Sequence, residues 1–172
     1  DGMIIKYNSS GECEWAKVIG GSSDDRIQSI AETSDGDIIV GGYFNSKSID
    51  LGNGISLNNN SNYTYYSDGM IIKYSAKGEI EWAKGIGGNY SEQINSVTGT
   101  SDGGIIAGGY LSSDSNDLGN GVSLSKGAII IKYNSSGECE WTRKIGEQST
   151  DRINSTTETS DGGIIAGGHF TS

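Results

Sequence analysis

The sequence predicts an all-β protein made of three similar repeats, each supplying four short antiparallel strands. Three observations predict it. One phrase occurs three times, as "DGMIIKYNSSGECEWAK", "DGMIIKYSAKGEIEWAK" and "AIIIKYNSSGECEWTRK". The 172 residues include 28 glycines and no proline, and Gly, Asn and Asp supply the positive φ that tight turns need. Apolar residues come in strand-length runs such as "MII", "IIV" and "IIAGG", the pattern of strands covered on both faces.

Within the first copy, "MIIKY" (Met3 to Tyr7) runs to the turn "NSSG", and "ECEWAKVI" (Glu12 to Ile19) runs to the break "GGSSDD". "RIQSIAET" (Arg26 to Thr33) meets the turn "SDGD", and "IIVGGYF" (Ile38 to Phe44) closes the unit. The Asp-Gly pairs at Asp35, Asp102 and Asp161 fit the type I′ hairpin turn. The glycine pairs Gly41–Gly42, Gly108–Gly109 and Gly167–Gly168 mark places where neighbouring backbones come close.

Registered on Trp15, Trp82 and Trp141, the copies are spaced by 67 and 59 residues. From each Trp to the Asp of "SDG" is 20 residues every time, so the unequal spacing arises in the connector. That connector carries "DLGNGISL" or "DLGNGVSL", and the first is followed by extra residues in "NNNSNYTYYS", an insertion that marks a surface loop. The repeats are 1–67, with the long connector, 68–126, with its connector, and 127–172. A single four-stranded sheet cannot bury its faces alone, so each copy must lean on the next.

These residues resemble a bacterial β-propeller repeat family, whose unit runs D-x-x-x-x-K-Y-x-x-x-G-x-x-x-W, then GG…D, then DG…GGY and a D-x-G-x-G connector. In this chain those are Asp1, Lys6, Tyr7, Gly11, Trp15, Gly20, Gly21, Asp25, Asp35, Gly36, Gly41, Gly42 and Tyr43, then Asp50, Gly52 and Gly54. The third copy departs from it at Gly127, Glu147 and His169, the last standing where the others have Tyr43 and Tyr110. The resemblance implies three propeller blades in an incomplete or oligomer-completed propeller, with a linear stack of blades as the alternative. It also implies secreted or surface-exposed proteins of bacterial type and no common catalytic activity. A second likeness, of "NSSGECEW" to quinoprotein-type propellers, implies that Trp15, Trp82 and Trp141 are wedges between blades. Three blades fall short of the four to eight that close a ring, so further repeats, a second chain or end-to-end stacking must supply the rest.

Net charge is −10, which repels nucleic acid and anionic membranes. No apolar run approaches the roughly 18 residues of a membrane span. The chain begins at Asp1 without a signal-peptide pattern, and is read as an excerpt of a longer repeat protein or the mature part of a secreted one. Cys13 and Cys139 occupy the position of Ile80, and are read as packing residues rather than a disulfide.

No cofactor is expected. The candidate metal is calcium, a hard ion that wants six to eight oxygens, at Asp50, Asn53, Asp117 and Asn120 in the two "DLGNG" connectors. Asp25 and its equivalents Glu92 and Asp151 are read as turn caps or partners of arginine. His169 is read as a ring filling the Tyr43 and Tyr110 slot. Tyr63, Tyr65 and Tyr66 in the inserted loop are the candidate ligand contacts, since exposed aromatics stack on sugars and proteins.

The expected function is therefore a non-enzymatic extracellular or cell-surface scaffold or binding module, adhesive through its loops. A self-assembling filament subunit, joined through open blade edges, is the alternative, and a fragment of a propeller enzyme is the third reading. Expected partners are a protein or glycan ligand and either a homo-oligomer or further repeats of the same chain, with no nucleic acid and no membrane insertion.

Overall fold

Asn8, Ser75 and Asn134 each open the same hairpin. Gly11, Gly78 and Gly137 donate their N–H to those residues' carbonyls at 3.0, 2.8 and 2.9 Å, and take φ of 80°, 78° and 79°. The "SDG" turns are built alike, with Gly36, Gly103 and Gly162 donating to Thr33, Thr100 and Thr159. This corrects the type I′ expectation. Asn53 is the one non-glycine with positive φ among the described residues, so the Asp of each Asp-Gly pair stays on the ordinary side of φ. Each is a type I turn followed by a left-handed glycine, the other common hairpin solution.

In the computed structural model, which describes residues 1–119 and 121–171, these turns join sixteen strands and no helix occurs among the described residues. They are β1 (Gly2–Tyr7), β2 (Cys13–Ile19), β3 (Asp25–Glu32), β4 (Ile38–Phe44), β5 (Ser48–Gly52), β6 (Ile55–Asn58), β7 (Asp68–Tyr74) and β8 (Ile80–Ile86). Then come β9 (Gln93–Gly99), β10 (Ile105–Leu111), β11 (Asn116–Asp117), β12 (Ser123–Leu124), β13 (Gly127–Tyr133), β14 (Cys139–Ile145), β15 (Arg152–Glu158) and β16 (Ile164–His169).

Four-stranded antiparallel sheets form as expected, but each straddles two sequence copies. One has the order β3-β4-β7-β8 and the other β9-β10-β13-β14. The two hairpins β1-β2 and β15-β16 stand as two-stranded sheets at either side. The physical reason lies in the connectors. The turn after β4 leads through the small hairpin β5-β6 back alongside β4, pairing Ile38 with Tyr74 through Phe44 with Asp68. The break "GGSSDD" between β2 and β3 instead carries the chain from one sheet to the next.

Alternation along the central strands gives each sheet two apolar faces. Ile39 and Ile71 face one way, into a core with Ile94, Val97, Ile105, Ile129, Ile131 and Tyr133. Val40, Met70 and Ile72 face the other way, against Ile4 and Ile19 of the first hairpin and Ile49 and Leu57 of the connector. A third core joins Ile106, Ala128 and Ile130 to Ile153 of β15. Four sheets thus share three interfaces, each of these side chains contributing about 1.5–3 kcal/mol by burial.

Glycine permits the close contacts. A Cβ on Gly41 would meet Val97 Cγ1 at 2.7 Å, and one on Gly108 would meet Ile153 Cγ2 at 2.7 Å. Each sheet is also tied to its connector by a buried carboxylate. Asp25 accepts from the Gly21, Asn45 and Ser46 N–H groups and the Ser46 hydroxyl at 2.6–3.1 Å. Glu92 accepts from Gly88, Ser112 and Ser113 at 2.9–3.1 Å, and Asp151 from Gln148 and Thr171. These carboxylates cap turns; the arginine pair falls on the exposed Asp24–Arg26 instead, at 3.0 Å.

Two expectations need correction. Cys139 is partly buried against a core, but Cys13 is exposed, and both are free thiols. Ile80 has the connector residue Leu51 beside it, whereas no connector precedes Cys13. His169 is exposed as well. Tyr110 is buried beneath the Arg152 guanidinium of the next sheet, 3.9 Å from its ring centre, and no described sheet follows β16 to do this for His169.

Candidate binding face

The inserted loop before β7 is held by its own polar groups. Asn59 is buried and its amide donates to the carbonyls of Phe44 and Tyr66 at 3.1 and 3.0 Å. Its Oδ1 accepts from the Ser61 N–H at 2.8 Å, and Ser61 Oγ both accepts from the Tyr63 N–H and donates to the Tyr63 carbonyl, at 3.0 Å each. The Lys47 ammonium donates to the carbonyls of Asn59 and Ser61 at 2.8 and 3.2 Å, and the Asn60 N–H donates to Asp68 at 2.9 Å. Every one of these bonds fixes backbone, so the loop is preorganised.

What the loop presents is aromatic. Tyr63 stacks on Tyr65 with ring centres 5.3 Å apart, Tyr65 lies 4.5 Å from Tyr66, and Tyr66 meets Tyr90 edge-on at 5.3 Å. Tyr63, Tyr65 and Tyr90 are exposed and Tyr66 is half-buried among them. Shielding from water, and then the neighbouring Tyr66 and Tyr63, push the Tyr65 hydroxyl above its ordinary value, so it stays neutral at physiological pH. Beside the rings is a pocket of about 80 Å³ lined by Asn45, Lys47, Asn59, Ser61, Asn62, Tyr63 and Thr64. Flat apolar faces edged by neutral hydroxyls and amides suit a sugar ring or a polar peptide.

The structure brings the three sequence-predicted tyrosines together and adds Tyr90. Its signal in the sequence is an aromatic in "GGNYS", where the first copy has only "GGSSD". The segment is laced to the loop's end: the Glu92 N–H donates to the Ser67 carbonyl at 2.8 Å, and the Tyr90 N–H to Ser113 Oγ at 2.8 Å.

The connector carboxylates turn inward on their own loops. Asp50 accepts from the Gly52 N–H at 2.9 Å and Asp117 from the Gly119 N–H at 2.8 Å. Asn53, with φ 53°, and Gly54, with φ 77°, form the two-residue tip of β5-β6, the geometry of a type I′ turn. Asn120 lies outside the described residues. Among the described residues no three His, Cys, Asp or Glu side chains gather as a metal would require.

The tryptophans sit at the sheet interfaces. Trp15 Nε1 donates to the Ala76 carbonyl and Trp82 Nε1 to the Ser135 carbonyl, both at 3.2 Å, so each indole lies on the hairpin turn of the following sheet. Trp141 packs against the third core under the Arg143 guanidinium, 5.5 Å from its ring centre.

No protein-family model matches the chain. It is 26% identical over 158 residues to the regulatory protein FlaEY of Caulobacter vibrioides, an alignment covering 89% of this chain and 16% of that protein. It is 28% identical over 197 residues to an uncharacterized WD repeat-containing protein of Acanthamoeba polyphaga mimivirus, covering 97% of this chain and 14% of that one. The chain therefore spans about one sixth of the length of these curated relatives. With sheets of four antiparallel strands stacked face to face and tied by indoles on the next turn, these are β-propeller-type repeats.

Proposed function

We propose that this protein is a non-enzymatic β-propeller-type interaction module that presents the face of Tyr63, Tyr65, Tyr66 and Tyr90 to a protein or glycan. The observation that carries the reading is four clustered tyrosines, mostly exposed, on a loop fixed by Asn59, Ser61 and Lys47. Exposed aromatic area on a preordered support binds at small entropic cost. A regulatory protein and a WD repeat-containing protein among the relatives support interaction as the task of such repeats. An extracellular, adhesive setting is part of the proposal, and rests on the likeness to secreted and surface repeat proteins.

A glycan array and a peptide display library, probed with the native chain and a Tyr63→Ala/Tyr65→Ala variant, test it. Both side chains are more than half exposed, so the variant keeps its stability to within about 0.5 kcal/mol. Ligands bound by the native chain and lost by the variant support the reading. Ligands bound equally by both overturn it.

A further inference from the structure

The two sides of the stack carry complementary halves of an interior that its middle already shows. We propose that a second copy of this chain completes both sides: β1 of one copy pairs with β16 of the other, and two copies close a ring of six four-stranded sheets.

The strand edges match. β4 pairs with both β3 and β7, and β10 with both β9 and β13, yet their equivalent β16 pairs only with β15. Conversely β7 and β13 each have two partners, and their equivalent β1 has only β2. Carrying over the observed register, Ile38 with Tyr74 and Ile105 with Tyr133, sets Ile164 opposite Tyr7 and Gly168 opposite Met3. An unpaired edge is a template for just such addition.

The side chains match too. Ile165 is 59% exposed while its equivalents Ile39 and Ile106 are 0% exposed, and Met3 is 63% exposed while Met70 is 0% exposed. Tyr7 and Phe170 are exposed while Tyr74, Tyr133, Phe44 and Leu111 are buried. Gly41 and Gly108 each receive side chains of the next sheet's first strand, but nothing lies within 4 Å of a Cβ on Gly167. Its missing neighbour corresponds to Ile30, which stands exposed on β3.

The wedge and the charges complete the match. Gly78 and Gly137 lie against Trp15 and Trp82, while a Cβ on Gly11 would meet nothing within 4 Å. Trp141 has no such turn against it among the described residues, and "NSSG" at 8–11 repeats the "NSSG" at 134–137 that Trp82 engages. Lys73 is held by Asp37 and, at 3.8 Å, Asp35, and Lys132 by Asp102 at 3.0 Å, all from the "SDG" hairpin of the same sheet. Lys6 has Glu14 but no such hairpin, and Asp161 accepts only from Thr159 and the Gly163 N–H. Pairing β1 with β16 brings Lys6 and Asp161 of the two copies together. One strand addition therefore satisfies edge, apolar face, indole and ion pair at once. Six sheets lie within the four to eight that close a ring.

Sedimentation velocity and light scattering of the 172-residue chain at micromolar concentration test this. The expected particle has twice the 18.0 kDa mass of one chain. Ile165→Lys, at a position exposed in the single chain, weakens association on the order of 100-fold by placing an ammonium in an apolar interface. Lys6→Glu and Asp161→Lys each weaken it about tenfold, and the double swap in one chain restores it. Circular dichroism confirms that each variant folds. Tyr63→Ala/Tyr65→Ala leaves association unchanged, which separates this test from that of the binding face. A native chain that stays monomeric, or an assembly indifferent to Ile165→Lys, overturns the proposal; open filaments overturn the closed pair.

Discussion

The Trp15 indole lies directly on Gly78, so close that a Cβ there would stand 2.9 Å from Cδ2 of the ring. Two residues from different sequence copies thus meet where one sheet's wedge enters the next sheet's turn. Gly11 shares the backbone of Gly78, with φ 80° against 78°, but has no ring upon it. Gly11→Ala is expected to cost about 1 kcal/mol for the left-handed backbone alone. Gly78→Ala is expected to cost about 1–3 kcal/mol more, since the indole must shift. Urea unfolding of both variants checks the difference.

Asp68 is fully buried beneath the tyrosine loop, with Oδ1 unpartnered. Burial, with a further push from Glu92, raises its carboxyl from 3.8 to about 7, against the pull of the Asn60 N–H. The folded state therefore holds this proton more tightly than the unfolded state does. Its contribution to stability is greatest below pH 4, falls as pH rises to about 7, and is flat beyond. Asp68→Asn is expected to stabilise the protein at pH 8 by a few kcal/mol at most, since each tenfold gain in proton affinity on folding corresponds to about 1.4 kcal/mol. Thermal melts should show that advantage vanish near pH 4.

Lys73 is buried between Asp37 at 2.7 Å and Glu81 at 3.0 Å. Burial pulls its ammonium down, and the bonds to Asp37 and Glu81 outweigh that, leaving it above 10.5. Its stabilisation is fully present below that pH and is lost as pH rises through the folded value. Lys73→Met is expected to cost about 3 kcal/mol, because it strands two carboxylates. Adding Asp37→Asn and Glu81→Gln should recover most of the loss in chemical denaturation.

Asp102 is held at about 2 by the Thr100 hydroxyl, then by the Gly104 N–H, and by Lys132, against the opposing effect of burial. Its stabilisation is present above the usual carboxylate range and disappears as pH falls toward 2. Half exposure screens the energy, so the titration midpoint is the better observable. Thr100→Val should move that midpoint upward by roughly tenfold in proton affinity, read in a side-chain NMR titration.

Much of this was legible in the sequence, and the reason is periodicity. The 20-residue interval from each Trp to its "SDG" turn fixes which residues are equivalent, and the turn glycines fix where strands reverse. The partition of strands among sheets was not legible, because β2 and β3 of one copy are joined by a break as short as a hairpin. Only the pairing of Ile38 with Tyr74 across the connector shows that β4 takes its neighbour from the next copy. Tyr63, Tyr65 and Tyr66 stand out as an insertion, whereas Tyr90 joins them only through the lacing of Ser67 to Glu92. Cys13 and His169 depart from expectation for one physical reason: their equivalents are buried by an adjoining sheet or connector, and they have none.

The central claim is that neighbouring sheets stand only together. Hydrogen exchange on Trp82→Ala tests it most directly, since that indole joins the two complete sheets through Ser135. Protection is expected to fall together in β3, β4, β7 and β8 and in β9, β10, β13 and β14, by the full cost of the lost wedge. Loss confined to the strands of one sheet, with the other keeping its protection, would contradict the account.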